Sequence, residues 1–184
     1  MVDLVDVGGE SCEPIAGFTN KVLLGVHGEF ELINDPKDLC GGTEATTLEE
    51  LVTIEATDSH TFPVDKGFVT LSAVEETVGI TTNMIGEVGR RLFQNEATII
   101  VSGSGAALKG FLRRVKNEKF IALFEEFDSG NLIQIGSKRF PAKFTGIEAA
   151  TEALAEGNNS VTLTLQDKSK WPAAIYKGTV TMAP

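Results

Sequence analysis

Residues 97–127 decide the fold class. Ala97-Thr98-Ile99-Ile100-Val101 is an apolar, β-branched run that reads as the end of a strand starting at Leu92, and Ser102-Gly103-Ser104-Gly105 breaks it. In the next segment Leu108, Phe111, Leu112 and Val115 fall within about 100° of arc at 3.6 residues per turn, while Lys109, Arg113 and Lys116 share the opposite side. That spacing predicts an amphipathic helix with a core-facing apolar stripe, Ser104 as its N-cap and Asn117 at its C-terminus. Phe120 to Phe127 returns to a strand, Asp128-Ser129-Gly130-Asn131 supplies turn chemistry, and Leu132 to Ile135 reads as the partner of a hairpin.

Working outward, the pattern stays β. Lys21 to Val26 and Glu29 to Ile33 read as strands joined by a tight hairpin at His27-Gly28, and Asn34 to Thr47, rich in Asp, Pro, Gly and Thr, reads as a loop. Leu51 to Thr57 and Gly67 to Val74 follow as strands. Thr77 to Ile85 is β-branched and favours a strand, although Met84, Ile85, Val88 and Leu92 would also line one helical face. Further on, Ile147 to Ala155 fits a short helix or a loop beside a strand, and Glu156 to Asn159 fits a turn. Ser160 to Leu165 alternates as a strand, and Ala174 to Met182 reads as the last one. Many short strands and one convincing helix predict a mainly β fold, α+β at the margin: a β-sandwich or open barrel with one flanking amphipathic α-helix. Strands that do not alternate with helices argue against a doubly wound parallel sheet. The length, 184 residues, suits a single domain over 1–184 with an extended or loop-like N-terminus to about residue 20.

Composition narrows the function. With 42% hydrophobic and 23% charged residues the chain is neither disordered nor built to span a bilayer, and its acidic start does not resemble a secretory signal, so a cytoplasmic origin is expected. Cys12 and Cys40 cannot make a disulfide framework and are expected as free thiols. Through residue 65 there are 2 basic residues against 14 acids, whereas Met84 to Ile121 holds 7 basic residues against Glu87, Glu96 and Glu118. A sequence pI of about 4.7 disfavours general attraction to phosphate. An acidic portion and a basic band on one chain suit head-to-tail contact between copies, with Arg113, Arg114 and Lys116 as the candidate assembly surface.

Local signatures of chemistry fail on spacing. The Ser-Gly-Ser-Gly segment sits where a phosphate loop would, but Leu108 stands where a dinucleotide fingerprint needs glycine, and Lys109 is followed by Gly110 rather than Ser or Thr. His27, His60, Cys12 and Cys40 are scattered without metal-ligand spacing, and neither histidine lies in a nucleophile motif. Glu49-Glu50, Glu75-Glu76 and Glu125-Glu126 are adjacent, which on a strand sends them to opposite faces, so they read as solvated turn and edge charges. Trp171 before Pro172 reads as a hydrophobic anchor. No enzyme activity, cofactor or metal is expected.

The order Gly105 to Phe124, then Asp128-Ser129-Gly130-Asn131, Leu132 to Ser137 and Pro141-Ala142, preceded by Cys12 to Phe18 leading into Lys21 to Leu24, resembles virion proteins of tailed phages of Bacteroidetes-type bacteria, of the tail tube or major tail protein kind. The resemblance covers over half the chain; residues 35–90 add little. It implies a β-sandwich with a flanking helix, six copies in a ring, and rings stacked into a tube through which the genome passes. The implied partners are other copies and other virion proteins, with DNA met only in the lumen and no membrane. The implied location is the virion, after assembly in the host cytoplasm. Two readings compete: a monomeric β-domain binding a small molecule or sugar, with the Asn34 to Thr47 loop as its mouth, and a capsid decoration or head-tail joining subunit.

Overall fold

A computed structural model describes residues 17–41, 44–127, 129–151 and 159–184. In it β1 (Phe18–Val26), β2 (Thr53–Ile54), β3 (Val69–Ser72), β6 (Phe120–Glu126), β7 (Leu132–Ile135) and β10 (Ala174–Tyr176) form a six-stranded sheet, in the order β2-β10-β7-β6-β1-β3. A four-stranded sheet holds β4 (Gly79–Ile85), β5 (Leu92–Ser102), β9 (Asn159–Ser169) and β8 (Lys143–Thr151), in the order β4-β5-β9-β8. Neighbours are antiparallel except β10 and β2. The expected mainly β sandwich with one helix, α1 (Ala106–Val115), is what forms.

The period-2 pattern of β5 and β9 builds the core. Ala97, Ile99 and Val101 join Val161, Leu163 and Leu165 on the inner face of the smaller sheet, where they meet Val22 and Leu24, Ala122 and Phe124, and Ile133 and Ile135. The larger sheet has a second apolar face: Ile121 and Leu123 of β6 point outward, under Ile33, Ile54, Phe68 and Tyr176. β6 is therefore buried on both sides, which explains its unbroken run Phe120 to Phe124.

That second face corrects several expectations. Residues 27–33 make no hairpin: β1 already pairs with β3 on one side and β6 on the other, leaving no edge for a third strand. The chain turns through a short 3-10 segment at His27–Glu29, and Phe30 drops onto Phe62 and Phe68, with ring centroids 4.1 and 5.5 Å away. Gly25 makes this possible, since a Cβ there would lie 2.5 Å from the Phe30 ring. Only Thr53–Ile54 of the expected Leu51 to Thr57 strand pairs, and the last one forms a strand only over Ala174–Tyr176, with an isolated bridge from Met182 to Phe68. Ile147 lies within β8, paired with Leu163, because the register with β9 overrides the helix preference of an alanine-rich run. Met84 belongs to strand β4, paired with Phe93. β1 takes in Phe18 to Asn20 from the segment expected to be loop-like; residues 1–16, with Cys12, and most of the Glu156 to Asn159 turn lie outside the described residues.

Candidate functional site

The candidate assembly residues sit where the helical spacing predicts. Arg113, Arg114 and Lys116 are exposed on α1, and Arg114 bonds Glu118 one turn on. Beneath them Val115 is buried, but Leu108, Phe111 and Leu112 are only half-buried against the core, so the apolar stripe is shallower than expected. Ser104 does not cap the helix. Gly105 takes the N-cap position, and the Ser104 Oγ accepts from Asn159 Nδ2 at 2.9 Å, tying the loop to β9. Lys116, not Asn117, is the C-cap.

The histidines have different fates. His27 is at the surface, its Nε2 3.0 Å from the Lys138 carbonyl. His60 is buried and begins a polar chain that crosses the sandwich. Asn34 N–H donates to its Nδ1 at 3.2 Å, so the neutral ring carries its proton on Nε2 and donates to Gln134 Oε1 at 2.8 Å. Gln134 Nε2 donates to the Gly136 carbonyl at 3.0 Å, and Gly136 N–H donates to Asp167 Oδ2 at 2.7 Å. Asp167 Oδ1 accepts from Asn95 Nδ2 at 2.8 Å, and Asn95 Oδ1 accepts from Thr82 of β4 at 2.8 Å. Gly136 adopts φ +99°, and a Cβ would meet the Phe120 carbonyl at 2.6 Å, so its bare amide is what reaches Asp167. Burial lowers the His60 pKa and raises that of Asp167. Among the described residues no buried side-chain nitrogen or oxygen lacks a partner, so the chain reads as a tie between sheets. The signal for it lay in the sequence: the inward alternation of β9 runs on to Asp167 and Ser169, and that of β5 begins at Asn95.

A groove of about 460 Å³ opens beside the Asn34 to Thr47 loop, lined by Asp35, Asp38, Lys138, Arg139, Lys170 and Trp171 among others. Asp35 accepts from the Lys138 N–H at 3.1 Å, with its carboxyl pushed up by burial, and Asp38 meets Lys170 at 3.3 Å. Trp171 lines this groove beyond the end of β9 rather than only anchoring the chain. The loop itself is fastened by Glu50, which accepts from Thr46 N and Oγ1 at 2.6 and 2.8 Å and from Lys37 at 2.7 Å. The lysine and the two threonine donors lower its carboxyl pKa to about 2, so this acid is a fastening rather than a free surface charge. Among the described residues no group of three or more His, Cys, Asp or Glu side chains is placed to hold a metal ion, and Cys40 is exposed.

Among the described residues the four-stranded sheet has two edge strands with a partner on one side only. β4, Gly79-Ile80-Thr81-Thr82-Asn83-Met84-Ile85, is mostly exposed and pairs only with β5; it carries no charge and no proline. β8 forms the opposite edge and pairs only with β9, with a register shift between Phe144 and Gly146. The sheet's outer face is mostly polar: Thr98, Thr162, Thr164, Gln94 and Gln166 line it, two acids, Glu96 and Glu148, are balanced by Lys143 and Lys168, and Ile85, Leu92 and Ile100 are its larger apolar members. No family model, curated protein or solved structure matches the chain.

Proposed function

We propose that the chain is a non-enzymatic structural virion protein whose copies join into a ring, six by the resemblance, and whose rings stack into a phage tail tube for genome passage. Its partners on this reading are itself and other virion proteins, assembled in the host cytoplasm and retained in the virion. The observation that carries the reading is the pair of free edges on one sheet. β4 and β8 run in opposite directions, because three antiparallel steps separate them. Rotating copies about one axis therefore sets β4 of each beside β8 of the next in antiparallel sense, all the way round. Long edge strands are ordinarily protected by charge, proline or brevity, and β4 has none of these protections.

The polar outer face supports the same assignment. Since the inner face is committed to the core, a ring closed through these edges turns the threonine-rich face toward the lumen. Its balanced charges offer phosphate no net attraction, which suits a duct that DNA must slide along. Six four-stranded sheets at about 4.8 Å per strand give a backbone diameter of about 37 Å, which strand tilt widens. The exposed Arg113, Arg114 and Lys116 remain the candidate contact on the outside of the ring.

Negative-stain electron microscopy and sedimentation of the full chain, over a range of concentration and salt, test this. Rings and tubes are expected. Replacing Thr81 and Asn83 with lysine should abolish both while the monomer stays folded by circular dichroism, because like charges then flank the edge. Unchanged assembly in that variant moves the ring contact away from β4. The groove beside Asn34 to Thr47 favours a second reading, a monomeric small-molecule or sugar binder. A wild-type chain that stays monomeric throughout would support it. Short rings without tubes would point to a head-tail joining or capsid role.

A further inference from the structure

The two ends of the four-stranded sheet differ in charge. At one end Phe93 pairs with Ser169 and Lys143 with Gln166; beyond these pairs lie the turn carrying Arg90 and Arg91, and the groove with Lys138, Arg139 and Lys170. The last turn of α1 is at this end too, since the Lys119 carbonyl accepts from His27 N–H at 2.8 Å and His27 meets Lys138. At the other end Val74 N–H donates to Ile100 at 2.8 Å, and a concavity of about 840 Å³ is lined by Glu75, Glu76, Glu125 and Phe127, with Lys21 as its one cation. Phe127 is 70% exposed there.

We infer that these ends are a stacking interface between copies: the groove formed by Lys138, Arg139 and Trp171 receives the Glu75-Glu76 and Phe127 end of a copy in the next ring. The inference rests on the ring reading above. When a sheet closes into a barrel, its strands cross the ring from one rim to the other, so the basic and acidic ends emerge on opposite rims. Stacking in one direction then sets opposite charges face to face, and stacking in alternating directions sets like charges together.

The residues at each end are poised for a partner. Lys170 is engaged by Asp38, and Asp35 lies near Lys138 and Arg139, but the side chains of those two cations make no hydrogen bond or ion pair among the described residues, and those of Glu75 and Glu76 make none either. Phe127 offers an aromatic face to a groove whose own lining includes Phe140 and Trp171. The occupant is thus a second copy of this chain, selected by charge and by one ring.

Charge reversal on the full chain tests the proposal, with rings counted apart from stacks by electron microscopy at low salt. Lys138→Glu with Arg139→Glu makes the groove acidic like the end it receives, and Glu75→Lys with Glu76→Lys makes that end basic like the groove. Each variant alone should keep its fold and its rings and lose its stacks. Mixing the two should restore stacks in which they alternate, and all four changes in one chain should restore stacks by themselves. Raising salt should shorten wild-type tubes. Stacks that survive either double variant, or that neither the mixture nor the fourfold variant restores, would overturn the inference, as would wild-type rings that never stack at low salt. Absence of rings from every sample would overturn the ring reading, and the inference with it.

Discussion

The two sheets of this sandwich share one core and meet solvent in opposite ways. The six-stranded sheet is covered on its outer face by Phe30, Ile33, Phe62 and Phe68, and it ends in strands of two and four residues. The four-stranded sheet has a mostly polar outer face that no described element covers, and it ends in strands of seven and nine residues. A chain that folds for itself alone has reason to blunt both sheets. Here the larger sheet is finished by its own chain and the smaller one ends in the longer strands, which is why the proposed ring contact is assigned to β4 and β8.

The sharpest way to break this contrast is to shorten an outward side chain on each sheet. Leu123→Ala removes a fully buried residue from the outer face of β6 and should cost about 2 to 5 kcal/mol in urea melts. Thr164→Ala on the outer face of β9 should change the monomer by about 0.5 kcal/mol or less. Equal costs would mean that the smaller sheet is covered as well.

The same pair of substitutions shows what the sequence disclosed. Alternation in Ser160 to Leu165 gave the one-sided strand correctly, because its period reports a single buried face. The run Phe120 to Phe124 reads as a strand without revealing that both its faces are covered, and so residues 27–33 took on the look of a hairpin arm when they are part of that cover. Length was the other blind spot: Leu51 to Thr57 and Ala174 to Met182 are β-prone, yet the paired strands end where their neighbours end, and Met182 makes only an isolated bridge to Phe68. Of the candidate site, the basic side of α1 was legible from helical period alone. The groove was not, since Asp35, Lys138 and Lys170 are far apart in sequence and meet only when the loops between strands are placed.

A second experiment probes the tie between the sheets. Below the ordinary histidine pKa of 6.5 the unfolded chain takes up a proton that the buried His60 refuses, so this group removes stability as pH falls through that window. Asp167 acts with the opposite sign. Its raised pKa means the fold holds a proton that the unfolded chain has released above 3.8, and its contribution is lost as pH rises through the folded value. His60→Gln should therefore flatten the decline in urea stability between neutral pH and mild acid. A decline of unchanged slope would assign it to other groups.

The smallest effect on the monomer is expected on α1. Replacing Arg113, Arg114 and Lys116 with glutamate removes one exposed i,i+4 ion pair, worth about 0.3 to 0.5 kcal/mol, and should leave circular dichroism unchanged. Rings or tubes should become fewer if this side of the helix joins the contact. Assembly equal to wild type would confine the interface to the smaller sheet and its ends.

The register of the larger sheet also bears on how the chain comes into being. β1 pairs with β6 about a hundred residues later, and β2 finds β10 only at Ile175 and Tyr176. These distant closures belong to slow-folding topologies, whereas the β4 and β5 hairpin is local and can form early. A newly made chain thus presents its uncharged β4 edge before the rest of the sandwich has closed behind it. Crowded synthesis at this stage favours mispaired chains, so yield of folded protein should rise as expression is slowed or cooled.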